Sequence, residues 1–142
     1  MRKTDCIFFQ LAKANQMAGR FLGQQVAALK ITPVQAMVLG FLDEEDQITA
    51  GELGKRTELD SATLTGLLDR LAAARLIERQ GNPDDRRSVR IHLTEQGRAL
   101  GREVAAVIAE ANREFLGILT DKERRDLRSI INKLRLSRSN KE

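Results

Sequence analysis

Leu64, Leu67, Leu68 and Leu71 recur at i, i+3, i+4 and i+7 within LDSATLTGLLDRL, residues 59 to 71. This spacing predicts a helix with one buried stripe, capped by Asp60 or Ser61 and running to about Ala74. At about 100° per residue, the opposite side holds Ala62, Gly66, Asp69 and Ala73, flanked by Thr63, Thr65 and Arg70. A solvated helix face usually carries Lys, Glu and Gln. A face this bare suits something that comes close to the backbone.

The same periodicity extends along the chain. Ile7, Phe8, Leu11, Ala14, Ala18, Phe21, Leu22 and Leu29 predict one long helix over residues 7 to 29. Thr32-Pro33 restarts the chain with an N-cap and a first helical residue, and VQAMVLGFL, apolar on most sides, belongs at the centre of the core. The acidic run DEED, residues 43 to 46, reads as a solvated turn. Thr49 and Glu52 then form a capping box for a short helix anchored by Leu53. A compact helix followed by a striped one matches a helix-turn-helix unit.

Next, Ile77 and Arg79 predict one short strand, and Val89, Ile91 and Leu93 another with period-two spacing. GNPDDRR between them reads as a long charged tip. Thr94 caps a helix carrying Leu100, Val104, Val107, Ile108, Ala111, Phe115 and Leu119. A break at Thr120-Asp121 starts a last helix with Leu127, Ile130, Ile131 and Leu134, and the tail SRSNKE is expected to fray. The helices at both ends are more apolar than so small a central module can cover, so a second copy of the chain is the simplest partner for them.

Composition narrows the chemistry. The 142 residues suffice for one domain with its own core, and 42% apolar with 31% charged residues argues against disorder. No apolar run approaches the ~18 residues of a membrane span. The basic start is followed only by IFF before Gln10, so no signal peptide is read, and a cytoplasmic location is expected. Cys6 is the only cysteine and His92 the only histidine. An internal disulfide, a tight zinc or iron site and the commonest general base are therefore all missing, and no catalytic residue, cofactor or metal is expected. His92 alternates with Ile91 and Leu93 and should face outward. No Gly-rich phosphate loop or nucleophile-base pair appears, so an enzyme is not expected. The net charge of +4, with 24 basic residues, suits a nucleic-acid partner.

LDSATLTGLLDRLAAARLIERQGNPDDRRSVRIHLTEQG resembles the winged helix-turn-helix core of the MarR family (multiple antibiotic resistance regulators). The hairpin from Asp84 to Gly97 is the most specific part: the family's Asp-x-Arg signature falls on Asp85 and Arg87, followed by L-T-x-x-G at Leu93 to Gly97. The flanking helices match as well, so the likeness covers nearly the whole chain. It implies a single, mainly α domain over 1–142 with a small β-hairpin wing. A DNA-binding lobe would span about 31–94, between dimerisation helices at about 1–30 and 95–138. It further implies an obligate homodimer on pseudo-palindromic duplex DNA, acting as a repressor released by a small ligand or by oxidation.

On that reading the striped helix enters the major groove, roughly 12 Å wide. Ala62, Gly66 and Ala73 let its backbone sit deep. Ser61, Thr63 and Thr65 reach base edges or phosphates, methyls of Ala62, Thr63 and Thr65 touch thymine, and Arg70 meets a guanine edge or a phosphate. Asp69 would accept from a cytosine amino group or hold Arg70 or Arg86. At the wing, Arg86, Arg87 and Arg90, with Arg79 on the neighbouring strand, suit a narrow minor groove. Asp85 would stiffen the tip by pairing with Arg87, leaving Arg86 as the freer reader.

An effector pocket would lie where the dimer helices meet the lobe, with Phe8, Leu11, Met37 and Phe41 as candidate lining residues, each also readable as core. Two alternatives stand beside this. One is a winged-helix protein-interaction module without DNA binding, favoured by Asp69 and DEED. The other is a Cys6-based redox regulator. Against the latter, the reactive cysteine of the family's peroxide-sensing branch would fall nearer Phe8, and that branch tunes its thiol with tyrosines, of which this chain has none.

Overall fold

A computed structural model describes residues 2–139. A 3₁₀ turn (Lys3–Asp5) leads into α1 (Ile7–Val26), and a second (Ala27–Leu29) separates it from α2 (Pro33–Glu44). Then come β1 (Ile48–Thr49), α3 (Ala50–Thr57), α4 (Ser61–Ala73), β2 (Ile77–Asn82), β3 (Asp85–Leu93), α5 (Glu95–Phe115) and α6 (Asp121–Ser139). The sheet is antiparallel with β3 in the middle, in the order β1-β3-β2. The fold is a mainly α winged helix, as expected.

Side-chain caps set the helix starts. Thr32, Thr49, Asp60 and Thr94 each accept a hydrogen bond from the backbone N–H three residues on, and Thr32/Gln35 and Thr49/Glu52 close complete capping boxes. Each cap contributes about 1 kcal/mol. The leucine stripe of α4 is buried against Val38, Leu39 and Leu42 of α2, Leu53 of α3, and Ile77, Ile91 and Leu93 of the sheet. Burying each such side chain stabilises by about 1.5–3 kcal/mol.

The wing is clamped to α5 by main-chain contact. Thr94 N–H donates to the Leu76 carbonyl, and the Thr94 hydroxyl donates to that of Arg75. Gly97 packs directly on this strand entry: a Cβ there would lie 1.8 Å from the Leu76 carbonyl oxygen.

Several expectations need correction. The first helix ends at Val26, because the chain tightens to 3₁₀ and then turns through Lys30 at φ 56°. The helix capped by Thr94 also ends early: α5 stops at Phe115 and leaves Leu119 outside it, while α6 starts at Asp121 as expected, capped reciprocally by Thr120 and Glu123. The helix α6 continues through Ser137 to Ser139; the rest of the tail lies outside the described residues. DEED is not simply a solvated turn. Asp43 and Glu44 belong to α2, and Asp46 is only 16% exposed. Its carboxylate accepts from the N–H groups of Leu93 and Gln47 and from Arg98 Nη2, at 2.9, 2.8 and 2.8 Å. Partial burial pulls its pKa upward, but these bonds and the Arg98 charge outweigh that and hold it below the ordinary carboxylate range.

The terminal helices look different from the lobe. Phe8 is 77% exposed and Ile130 56%, and Ile7, Leu11, Met17, Leu127, Ile131 and Leu134 also lie open. Phe8, Leu11 and Met37 are therefore not core. The chain exposes 10566 Å², whereas a compact domain of this length should expose about 7,400 Å². No single helix among the described residues is long and apolar enough to cross a membrane.

Candidate nucleic-acid interface

Asp60 fixes where α4 begins. Its Oδ1 accepts from the Thr63 N–H at 2.8 Å and its Oδ2 from the Thr63 hydroxyl at 2.6 Å. With the leucines turned inward, Ser61, Ala62, Thr63, Thr65 and Arg70 are exposed and Gly66 half-buried on the outer side. Two hollows flank this ridge. One, of about 480 Å³, lies toward Thr32 and Val34 at the start of α2; the other, of about 410 Å³, lies toward Gly51, Gly54 and Lys55 of α3. The outer line of α4 thus stands between depressions, a shape suited to entering a groove.

Asp69 does not hold Arg70 or Arg86. Its Oδ1 accepts from Arg79 Nη1 of β2 at 2.7 Å, tying the outer side of α4 to the base of the wing. The Arg70 guanidinium has no hydrogen-bond or ion-pair partner among the described residues.

The wing closes more tightly than its composition suggests. Only Pro83 and Asp84 lie between the strands, so most of GNPDDRR is strand. The register then jumps: neighbouring Gly81 and Asn82 pair with Val89 and Asp85, leaving Arg86, Arg87 and Ser88 in an irregular stretch of β3. Polar bonds hold that stretch. Asn82 Nδ2 donates to Ser88 Oγ at 2.7 Å, and Asp85 Oδ1 accepts from the Arg87 main-chain N–H at 2.9 Å. Asp85 thus meets the backbone of Arg87 rather than its guanidinium.

The wing arginines separate into two kinds. The Arg90 guanidinium is engaged inside the hairpin: Nε donates to Asn82 Oδ1 at 3.2 Å, Nη1 to the Gln47 carbonyl at 3.0 Å, and Nη2 lies 3.7 Å from Asp84. Arg86 and Arg87 are exposed, and their side chains have no partner among the described residues. Two guanidinium groups without counter-ions on a stiffened tip can enter a negatively charged groove without first breaking an ion pair. His92 is half-buried in β3 opposite Glu78.

The candidate effector residues are split. Met37 and Phe41 line a groove of about 320 Å³ between α2 and α5, with Gly40, Asp43, Ala105 and Ile108. Arg56 lies over the Phe41 ring at 5.4 Å. Phe8 and Leu11 do not line this groove; they lie exposed on α1. Cys6 is half-buried just before α1. Sequence reasoning missed Asp46, Asn82 and the Asp69–Arg79 pair. Only the turn-forming character of Asn82 left a local signal.

Comparison with known proteins places this geometry. A family model described as the MarR family matches residues 29–88. An uncharacterized HTH-type transcriptional regulator of Bacillus subtilis is 37% identical over 113 residues, covering 80% of this chain and 75% of its own. Two further curated regulators are matched over 61% and 47% of their own length. Among solved structures, a variant of MarR from E. coli complexed with operator DNA superposes with a TM-score of 0.82 at 31% identity, over 88% of this chain and 90% of that one. BpsR of Bordetella bronchiseptica, whose DNA binding is regulated by 6-hydroxynicotinic acid, superposes with a TM-score of 0.88 at 28% identity, over 94% and 96%.

Proposed function

The chain belongs to the MarR family of transcriptional regulators, and from that premise we propose that it is a homodimeric repressor of a pseudo-palindromic operator. Each protomer lays α4 in a major groove and its wing in the adjoining minor groove. The observation that carries this reading is the pairing of a small-residue outer line on α4 with the guanidinium groups of Arg86 and Arg87, which have no counter-ion among the described residues, held on one lobe.

In this reading Ser61, Ala62, Thr63, Thr65, Gly66 and Arg70 face base edges and phosphates, Arg86 and Arg87 face the minor groove, and Arg90 and Asp85 keep the wing in shape. The open apolar faces of α1 and α6, and an exposed area about 3,000 Å² above that of a compact domain, support a second copy as their cover. The α2–α5 groove with Met37 and Phe41 is the effector site of this reading. It lies between a long helix of the dimer region and the lobe, where an occupant can change the spacing of the two α4 helices.

Selection of bound duplexes from a random pool, followed by salt titration, tests the proposal. A palindrome with half-sites about one helical turn apart should be enriched. Its affinity should fall by ~10³ or more between low and moderate salt, as roughly six to ten phosphates lose their cationic partners. Failure to enrich any sequence, with no complex at low salt, contradicts it.

A further inference from the structure

The hydroxyl hydrogen bonds on α4 have directions fixed by their partners. Thr65 Oγ1 lies 2.8 Å from the Ser61 carbonyl oxygen, which can only accept, so the Thr65 hydroxyl donates. Thr63 Oγ1 lies 2.6 Å from Asp60 Oδ2. The Thr63 hydroxyl and N–H hold that carboxyl below its ordinary range, so at neutral pH it is ionised and also can only accept. Each threonine has thus committed its one hydroxyl hydrogen to its own helix. What each exposed threonine has left to offer a partner is a methyl group and oxygen lone pairs. Ala62 adds another methyl, and Gly66 adds no side chain at all. The Asp69 carboxylate is taken by Arg79. Side-chain donors left on the outer side of α4 are Ser61, at its first turn, and Arg70, at its far end; neither has a partner among the described residues.

The four bases answer such a surface differently. In the major groove guanine shows two acceptors, N7 and O6, and needs donors opposite it. Thymine shows a 5-methyl group, and adenine an amino donor beside N7. The methyls complement thymine alone, whereas the lone pairs can accept from the amino group of adenine or of cytosine. The choice of thymine therefore rests on the methyls, and guanine is left unanswered.

We propose that Thr63 and Thr65 read thymine through its 5-methyl group, so that each operator half-site carries thymines beneath these residues and a guanine only beneath Ser61 or Arg70. This rests on α4 being the major-groove helix, and it goes further by excluding the two hydroxyls as donors to a base, which leaves the methyls to set the preference.

The test uses the full chain and the duplex recovered by selection. Thymines are replaced one at a time by deoxyuridine, which deletes only the 5-methyl group. With the wild-type protein, at least one position per half-site should lose roughly fourfold in affinity, the weight of one buried carbon. The Thr63→Ser/Thr65→Ser variant keeps both hydroxyl bonds and removes both methyls; it should bind thymine and uracil duplexes equally. Thr63→Val/Thr65→Val keeps the methyls and should retain the uracil penalty. If no thymine is uracil-sensitive for the wild-type protein, the inference is overturned without reference to any variant. It is also overturned if the serine variant still discriminates thymine from uracil, or if the valine variant does not. A wild-type protein that forms no complex with any duplex overturns the underlying DNA reading instead, and salt titration separates that outcome from the others.

Discussion

The lobe from α2 to β3 and the terminal helices α1 and α6 solve the same packing problem in opposite ways. The lobe closes on itself. Its leucine stripe meets partners from α2, α3 and the sheet, its helix starts are capped by their own side chains, and Asp46 ties the wing base to α5. The terminal helices carry stripes just as regular but leave them open, with Phe8 and Ile130 more than half exposed. A pattern of apolar residues therefore states that a face will be buried, and not by which chain. On the proposed reading, the closed region presents polar and cationic groups to DNA and the open region fixes how far apart two such lobes stand.

The contrast can be broken first from the lobe side. Gly97→Ala puts a methyl 1.8 Å from the Leu76 carbonyl, which only backbone movement can relieve. Urea denaturation should show a loss of about 3 kcal/mol or more, with the wing-to-α5 junction failing first. Broken from the other side, Ile130→Glu with Leu134→Glu should leave the lobe folded by circular dichroism yet halve the mass seen by light scattering. Affinity for the palindrome should fall on the order of a hundredfold, because two linked half-site contacts become one.

Smaller effects sharpen the picture. Arg86→Ala with Arg87→Ala should preserve both thermal stability and dimer mass. It should flatten the plot of log K against log salt by up to roughly four for the dimer, about 0.9 per lost phosphate contact. Asp46→Asn probes the closure of the lobe by pH. The Asp46 carboxyl is held below its ordinary value, ~3.9, so its stabilisation is complete above that value and is lost as pH falls through the lower folded one. Wild type and variant should differ by roughly 1–2 kcal/mol at neutral pH and converge once the pH has fallen through the lowered folded-state pKa. A pH-independent difference in unfolding free energy contradicts the assignment.

Local rules made much of the lobe legible. Thr32, Thr49, Asp60 and Thr94 are capping residues by chemistry, and the α4 and β3 periodicities are strict enough to name the buried faces. What escaped depends on distance along the chain or on very short elements. Leu93 lies 47 residues from Asp46, and Arg79 lies ten from Asp69 on another element, so neither pair has a sequence period. The two residues of β1 are too few to alternate. The Arg90 guanidinium could be assigned to the hairpin only once Asn82, Asp84 and Gln47 were brought around it. At the candidate interface, residue types suggested which side of α4 faces outward. The direction of its hydroxyl bonds required the structure.

The most direct test of the account is the mass of the protein on its selected operator, measured by light scattering at low salt. Two chains per full palindrome are expected, and a complex with one isolated half-site that is weaker by at least about two orders of magnitude. One chain per duplex, bound as tightly to the half-site as to the palindrome, would contradict it.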